Sequence, residues 1–170
     1  MKDIFNDIMS AHGAEVSIIP VVQGDGLMKI DEAQLPDSLP ILALRNAVLF
    51  PGTVYPITIG REKSIRLIED AEKNNTFIGA VPQNDLAVED PKKDDLYGYG
   101  TVAKIVKTLE MPDGTITAIL QGFRRFEIEE IFEYNPYMLG RVRYLADVAP
   151  ENDTTTRMIA ESLKKKASAI

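Results

Sequence analysis

The sequence predicts a mainly β domain with some helix, an α+β fold in which about six or seven short strands form a small, strongly curved barrel with one helix. Three observations predict it: short apolar segments rich in β-branched residues, turn signals between these segments, and one charged segment with helical spacing. The chain has 170 residues. A domain of this size buries roughly 68–70% of its unfolded surface, so it needs no disulfide or metal to fold.

Composition excludes several classes of protein. The chain is 45% hydrophobic and 26% charged, as in ordinary globular domains, and it contains no cysteine for disulfides or thiolate chemistry. Its net charge of −7 makes nucleic acid an unexpected partner. No apolar run approaches the roughly 20 residues that span a bilayer, and no signal peptide or Arg-rich presequence is visible. We therefore expect no membrane association and a cytoplasmic location of the bacterial type.

The first two predicted strands are residues 39–44 and 54–59. Pro51 and Gly52 predict a turn between them, because proline presets φ and glycine accepts positive φ. Pro56 has no N–H to donate to a ladder, which places the second strand at a sheet edge or a bulge. Prolines and glycines that interrupt short strands in this way favour a curved barrel over a flat sheet.

A helix is predicted to follow, beginning at the charged residues 60–63 and ending at Asn74 and Asn75. The remaining strands are predicted at 77–82, on both sides of a hairpin turn at 112–114, and at 137–145, with a polar loop at 84–95. Along the strand after the hairpin, Phe126, Ile128, Glu130 and Phe132 alternate with glutamates. This period of two predicts that Phe126 and Phe132 share one face.

Three regions are predicted along the chain. Residues 1–38 form a flexible acidic leader with a short helix at 3–9, and residues 39–148 form the β domain. Residues 149–170 form a linker and the start of a helical region, in which Ile159 and Leu163 keep helical spacing. Because no glycine or proline ends this last helix, we expect the native chain to continue beyond Ile170.

We find no catalytic constellation and no metal site in the sequence. The single histidine, His12, lies in the predicted leader and is interpreted as a surface residue. Residues 98–103 match the string G-x-G-x-x-A, but the polar loop before them is the wrong context for a dinucleotide site. The phosphate-binding pattern G-x-x-x-x-G-K-S/T is absent from the sequence. No cofactor is therefore expected in this chain.

Two sets of residues remain as candidates for a binding surface. Arg124, Arg125, Arg141 and Arg143, with phenylalanines beside them, could form a single-strand nucleic-acid platform, but neighbouring glutamates favour cross-strand charge pairs. The second set consists of apolar residues near turn signals, which could hold unfolded polypeptide through non-directional contacts or could cap the core. These candidate substrate-binding residues are Phe50, Pro51, Tyr55, Tyr97, Tyr99 and Met111.

Several segments occur in the order found in one known family. They are Leu44-Arg45-Asn46, Phe50-Pro51-Gly52, Gly60-Arg61-Glu62-Lys63-Ser64, Gly100-Thr101-Val102-Ala103, Pro112-Asp113-Gly114 and Gly122-Phe123-Arg124-Arg125. Over residues 39–146 the chain resembles the N-terminal domain of Lon, the ATP-dependent protease. This resemblance implies a PUA-like pseudo-barrel, followed by a helical region that leads to an ATPase module and a serine protease domain.

The resemblance also implies a function. Such a domain helps to recognise and hold misfolded or regulatory protein substrates and supports assembly of a hexamer. ATP, Mg²⁺ and the Ser-Lys dyad belong to other parts of the parent endopeptidase, in ATP-dependent protein degradation and quality control. The alternative is a stand-alone PUA-like module that binds RNA or a protein partner. The leader is longer than is usual in the family, so the resemblance assigns it no role.

Overall fold

The computed structural model describes residues 34–146 and 154–167. The predictions for the leader helix and for His12 therefore lie outside the described residues. The predicted strand-rich fold with a following helix is confirmed. In chain order, the elements are β1 (Ser38–Leu44), β2 (Val54–Ile59), α1 (Glu62–Asn74), β3 (Ile78–Pro82), β4 (Tyr99–Glu110), β5 (Ile116–Glu133), β6 (Met138–Tyr144) and α2 (Thr154–Ala167).

The six strands form one mixed sheet in the order β2-β5-β4-β3-β1-β6. Strand β1 is parallel to β3, and the other pairs are antiparallel. The long strand β5 pairs with β2 along its first half and with β6 along its second half. Because β6 also pairs with β1, the sheet curls back on itself.

Strand β2 is an edge strand, as Pro56 predicted. It pairs only with β5 in the described sheet, where Pro56 lies opposite Ile119. A proline is tolerated at this place because one edge of β2 has no partner strand in the described sheet, so the N–H that proline lacks is not needed there.

Helix α1 packs its apolar side against the sheet and ends where the sequence predicted. Leu67, Ile68 and Ala71 are its buried residues. Asn75 caps the helix in the left-handed conformation with φ 51°, and its N–H donates to the carbonyl of Glu72. Asparagine is one of the few residues that adopt this conformation at low cost.

The core consists of two clusters of buried side chains. One lies between α1 and the sheet and includes Leu67, Ile68 and Leu120. The other surrounds Phe126, whose side chain is fully buried. Glycine at position 100 makes room for this ring, because a Cβ there would lie 2.7 Å from Phe126 Cζ.

The predicted position of Phe132 is wrong. Phe126 is fully buried, but Phe132 is 49% exposed and Ile131 points inward instead. The β5–β6 register shifts between Ile128 and Glu130, and shifts again between Ile131 and Glu133. Such bulges change which side chains face the core, so the simple period of two does not extend to the end of the strand.

The predicted cross-strand charge pairing is confirmed for Arg141 and Arg143. Arg143 forms an ion pair with Glu127, and Arg141 Nη1 lies 3.6 Å from Glu130 Oε2. In both pairs the two residues lie directly opposite each other in the register of β5 and β6. They place opposite charges side by side on the outer surface, where such pairs stabilise a sheet modestly.

Candidate binding groove

The segment between β1 and β2 is held against the sheet by backbone and side-chain hydrogen bonds. The N–H of Gly52 donates to the carbonyl of Gly122, and the N–H of Gly122 donates to the carbonyl of Thr53, each at 2.9 Å. The buried hydroxyl of Thr101 donates to the carbonyl of Leu49 at 2.7 Å. These bonds to β4 and β5 hold the segment at its middle and at its C-terminal end, and we call residues 46–53 the anchored loop.

The anchored loop buries one apolar side chain and exposes the two beside it. Leu49 is 3% exposed, whereas Val48 is 53% and Phe50 is 60% exposed. The Thr53 hydroxyl donates to the Phe50 carbonyl at 2.7 Å, which closes the turn predicted at Pro51 and Gly52. Burial of Leu49 therefore holds Val48 and Phe50 at the surface.

This arrangement requires a glycine at position 122 of β5. A Cβ there would lie 2.5 Å from the carbonyl oxygen of Phe50 and 3.0 Å from Thr101 Cγ2. Real side chains do not approach backbone oxygens this closely, so any other residue would push the anchored loop away from β5. Gly122 thus allows the loop and the strand to touch.

A groove of about 320 Å³ lies beside the anchored loop. Its walls come from the loop, the start of β4, the end of β3, the middle of β5 and the residue that follows β6. The exposed or half-buried side chains in its lining are Val48, Phe50, Pro51, Pro82, Tyr99, Arg125 and Leu145. Most of this surface is apolar, and we call it the apolar groove.

Leu145 is fixed in the apolar groove by the middle of β5. Its N–H donates to the carbonyl of Arg125 at 2.9 Å, and its carbonyl accepts from Arg124 Nε at 3.1 Å. The preceding residue, Tyr144, donates its hydroxyl proton to the carbonyl of Pro36 at 2.8 Å. Burial of this phenol, with the charge of Asp37 nearby, raises the pKa of Tyr144 to about 12.

The structure brings together three of the six residues that the sequence singled out. Phe50, Pro51 and Tyr99 line the apolar groove. Tyr97 lies next to it, since its N–H donates to the carbonyl of Pro82 at 3.0 Å. It is exposed, like Tyr99, but it is not part of the lining.

Tyr55 and Met111 lie elsewhere. Tyr55 is half-buried in β2 and packs against the core cluster beneath α1, which matches the core-capping alternative. Met111 begins the β4–β5 hairpin turn, where its N–H donates to Thr115 and its carbonyl accepts from Gly114.

Sequence reasoning missed Val48 and Leu145. Val48 could have been found from its place beside the turn, one residue from a leucine that the loop buries. Leu145 had no local signal, because its position depends on pairing between the end of β6 and β5.

The polar loop at 84–95 forms a second, charged feature where it meets the start of α1. The carbonyl of Val88 accepts hydrogen bonds from Arg45, Arg61 and Gln83 at 2.7–3.3 Å. Asp90 accepts from Lys63 at 2.8 Å and from Lys92 at 3.1 Å, and these bonds lower the pKa of Asp90. These contacts attach the loop to α1 and β1, so we interpret them as structural.

The described residues contain no group of three or more His, Cys, Asp or Glu side chains that could hold a metal ion. No helix in the described part of the chain is long and apolar enough to cross a membrane. In the apolar groove, Arg125 is the only charged side chain among the lining residues. This composition suits contact with apolar groups more than it suits acid–base chemistry.

The fold is that of Lon N-terminal domains. It superposes on the crystal structure of a Lon N-terminal domain protein from Xanthomonas campestris with a TM-score of 0.59 and 22% identity, covering 75% of this chain and 72% of that one. The N-terminal domain of a Mycobacterium avium complex Lon protease gives a TM-score of 0.58 and 18% identity, covering 77% and 70%.

Sequence comparison specifies the family. The family model of the ATP-dependent protease La (LON) substrate-binding domain matches residues 38–170, and the chain belongs to this family. It is 46% identical over 158 residues to the Lon protease of Flavobacterium johnsoniae, covering 92% of this chain and 19% of that protein. Identity to the Lon protease of Porphyromonas gingivalis is 49% over 133 residues, covering 78% and 16%. The chain thus spans less than a fifth of the curated relatives' length.

Proposed function

We propose that this chain recruits protein substrates for an ATP-dependent Lon serine protease, and that the apolar groove holds exposed apolar segments of misfolded or regulatory proteins. The observation that carries the proposal is that Val48, Phe50 and Tyr99, each more than half exposed, lie around one groove. A soluble domain that holds large apolar side chains at its surface in this way offers a typical protein-binding surface.

The chemistry of the apolar groove favours broad recognition. Burying one aliphatic or aromatic side chain contributes roughly 1.5–3 kcal/mol, without a requirement for particular hydrogen-bond partners. A groove of about 320 Å³ accommodates a few such side chains of an extended segment. Weak, non-directional contacts of this kind suit clients that share exposed apolar residues and little else.

The chain itself contributes binding, whereas peptide cleavage, ATP and Mg²⁺ belong to the remainder of the parent protease. We further propose that the parent assembles as a hexamer in the cytoplasm and acts in protein quality control and the stress response. In a hexamer, several copies of a weak groove would act together on one client and raise the overall affinity. The charge pairs of Arg141 and Arg143 with glutamates support a protein client more than RNA.

Replacement of Phe50 tests the proposal. We expect Phe50→Glu to weaken binding of a fluorescein-labelled, reduced and carboxymethylated protein by roughly tenfold, because a buried apolar contact worth more than about 1.4 kcal/mol is lost. Fluorescence anisotropy with the purified chain measures this affinity. Circular dichroism and the melting temperature should stay unchanged, because Phe50 is 60% exposed.

The matched control is Phe132→Glu. Phe132 is 49% exposed on the second half of β5, roughly 30 Å along the strand from Gly122 and the anchored loop. This variant should bind the labelled client like the unaltered chain. An equal loss of client affinity in both variants would indicate that the client binds exposed apolar residues anywhere on the surface. An unchanged client affinity of Phe50→Glu would refute the assignment of the groove as the binding site.

A further inference from the structure

A cavity of about 440 Å³ lies at the C-terminal end of α1, where the described chain begins. Gln34 and Pro36 line one side of it, whereas Leu35 between them packs against the core cluster around Phe126. Because Gln34 is the first described residue, the chain that precedes it starts from this cavity. We call this space the helix-end cavity.

The helix-end cavity combines apolar walls with one negative charge. Phe77, Tyr137 and Pro40 are half-buried in its lining, and Asp70 is the only charged side chain among the described lining residues. The Tyr137 hydroxyl donates to Asp70 Oδ2 at 3.1 Å. The contacts of the described residues give Asp70 no ion pair, although Lys73 lies one turn further along α1. The C-terminal end of a helix adds partial negative charge, so the cavity suits an apolar segment that carries one cation.

Residues 27–30 have this composition and lie close to Gln34 in the chain. They read Leu-Met-Lys-Ile, and Lys29 is the only lysine or arginine between residues 3 and 44. Residues 31–33, Asp-Glu-Ala, connect the segment to Gln34, so the step from residue 30 to residue 34 spans at most roughly 14 Å. The cavity is therefore within reach of the segment without any change in the described fold. An ammonium group on this short tether complements Asp70 and the end of α1.

We propose that residues 27–30 bind in the helix-end cavity of the same chain, with the Lys29 ammonium group beside the Asp70 carboxylate. Tethering gives the segment an effective concentration in the millimolar range, so apolar contacts and one exposed ion pair hold it there for much of the time. An occupied cavity is closed to clients, and the 26 residues before the segment then start from the α1 side of the domain. The inference does not involve the apolar groove and goes beyond the proposed function.

Pairs of introduced cysteines test this position, because the chain contains no cysteine of its own. Met28→Cys is combined either with Asn74→Cys, which lines the cavity, or with the control Arg66→Cys, two turns earlier on α1. The two α1 positions are about 12 Å apart along the helix axis, so an unbound segment samples both. The fraction of intramolecular disulfide in glutathione buffers of defined ratio gives the effective concentration of each pair. We expect a value about tenfold higher for the Asn74 pair than for the Arg66 pair.

Charge reversal tests the placement of Lys29. In the chain with cysteines at 28 and 74, Lys29→Glu should lower the effective concentration about 3–10-fold, because two carboxylates then face each other. Adding Asp70→Lys should restore it, since the pair is rebuilt with its charges exchanged. Lys2→Glu makes the same change of net charge outside the segment and should have no effect.

Three outcomes would overturn the inference. Equal effective concentrations for the Asn74 and Arg66 pairs would show that residues 27–30 do not occupy the cavity. Disulfide-linked dimers in place of the intramolecular bond would assign the cavity to a second copy of the chain. A loss in Lys29→Glu that Asp70→Lys does not restore would refute the contact between Lys29 and Asp70. None of these outcomes bears on client binding in the apolar groove, so the proposed function is tested separately.

Discussion

At the scale of single residues, Gly122 connects the fold to the groove. Its backbone exchanges hydrogen bonds with both Gly52 and Thr53, and its missing side chain allows the Phe50 carbonyl to approach β5. The position of the exposed side chains of the anchored loop depends on this contact. A residue with no side chain thus controls the position of Phe50, the exposed phenylalanine of the anchored loop.

We expect Gly122→Ala to lower the free energy of unfolding by about 1–3 kcal/mol, because the added Cβ collides with a backbone oxygen that can move only with its loop. Urea denaturation measures this change, and client affinity should fall with it as the loop shifts. The control is Gly98→Ala, where a Cβ would meet nothing within 4 Å. Similar stability of the two variants would show that the loop adapts without cost.

At the scale of elements, the loop at 84–95 is attached to the domain by charge. Asp90 accepts hydrogen bonds from Lys63 in α1 and from Lys92 in its own loop, and Glu89 forms an ion pair with Arg45 at 2.9 Å. The hydrogen bonds from the two lysines lower the pKa of Asp90 in the folded chain. A carboxylate with a lowered pKa stabilises the fold above the pKa of the unfolded chain, and this contribution is lost as pH falls through the folded value.

We therefore expect the loop at 84–95 to lose hydrogen-exchange protection as pH falls below about 4, near the ordinary pKa of an unfolded aspartate, after correction for intrinsic exchange rates. Asp90→Asn should reduce protection already at neutral pH, with a stability loss of about 0.5 kcal/mol, as is usual for exposed ion pairs. Amides of β3 provide the internal control. Protection in Asp90→Asn equal to that of the unaltered chain would show that the Val88 hydrogen bonds suffice.

At the scale of the whole molecule, we propose that this chain supplies a binding surface to a larger protease. The curled sheet supports the apolar groove, and the described residues contain no metal-holding cluster. The sequence has no cysteine and no phosphate-binding loop of the G-x-x-x-x-G-K-S/T type. The proposed function assigns energy coupling and cleavage to other parts of the parent protease.

We expect the purified chain, incubated with ATP and Mg²⁺, to release no phosphate above the buffer rate while it slows aggregation of a heat-unfolded client. A malachite-green assay and light scattering measure the two activities. A complete Lon protease serves as the positive control for hydrolysis. Phosphate release that persists through purification, and that changes when a residue of this chain is substituted, would contradict the assignment of ATP hydrolysis to other domains.

Local sequence chemistry predicted most elements of this fold. Pro56 placed β2 at an edge, Asn75 ended α1, and the glycine at 114 turned the β4–β5 hairpin with φ 82°. Each signal depends on the backbone conformation that one residue permits. Such preferences act over a few neighbours, so they can be read from the chain directly.

The composition of the groove and the end of β5 were decided by tertiary structure. Phe50 and Tyr99 are distant in sequence and meet only because Thr101 and Gly122 hold the anchored loop, while Met111, equally apolar, lies at the hairpin. Phe132 faces outward because bulges change the register with β6. The sequence alone thus determined which segments are strands and helices. Strand pairing decided which side chains became neighbours, because register depends on contacts between segments that no local pattern contains.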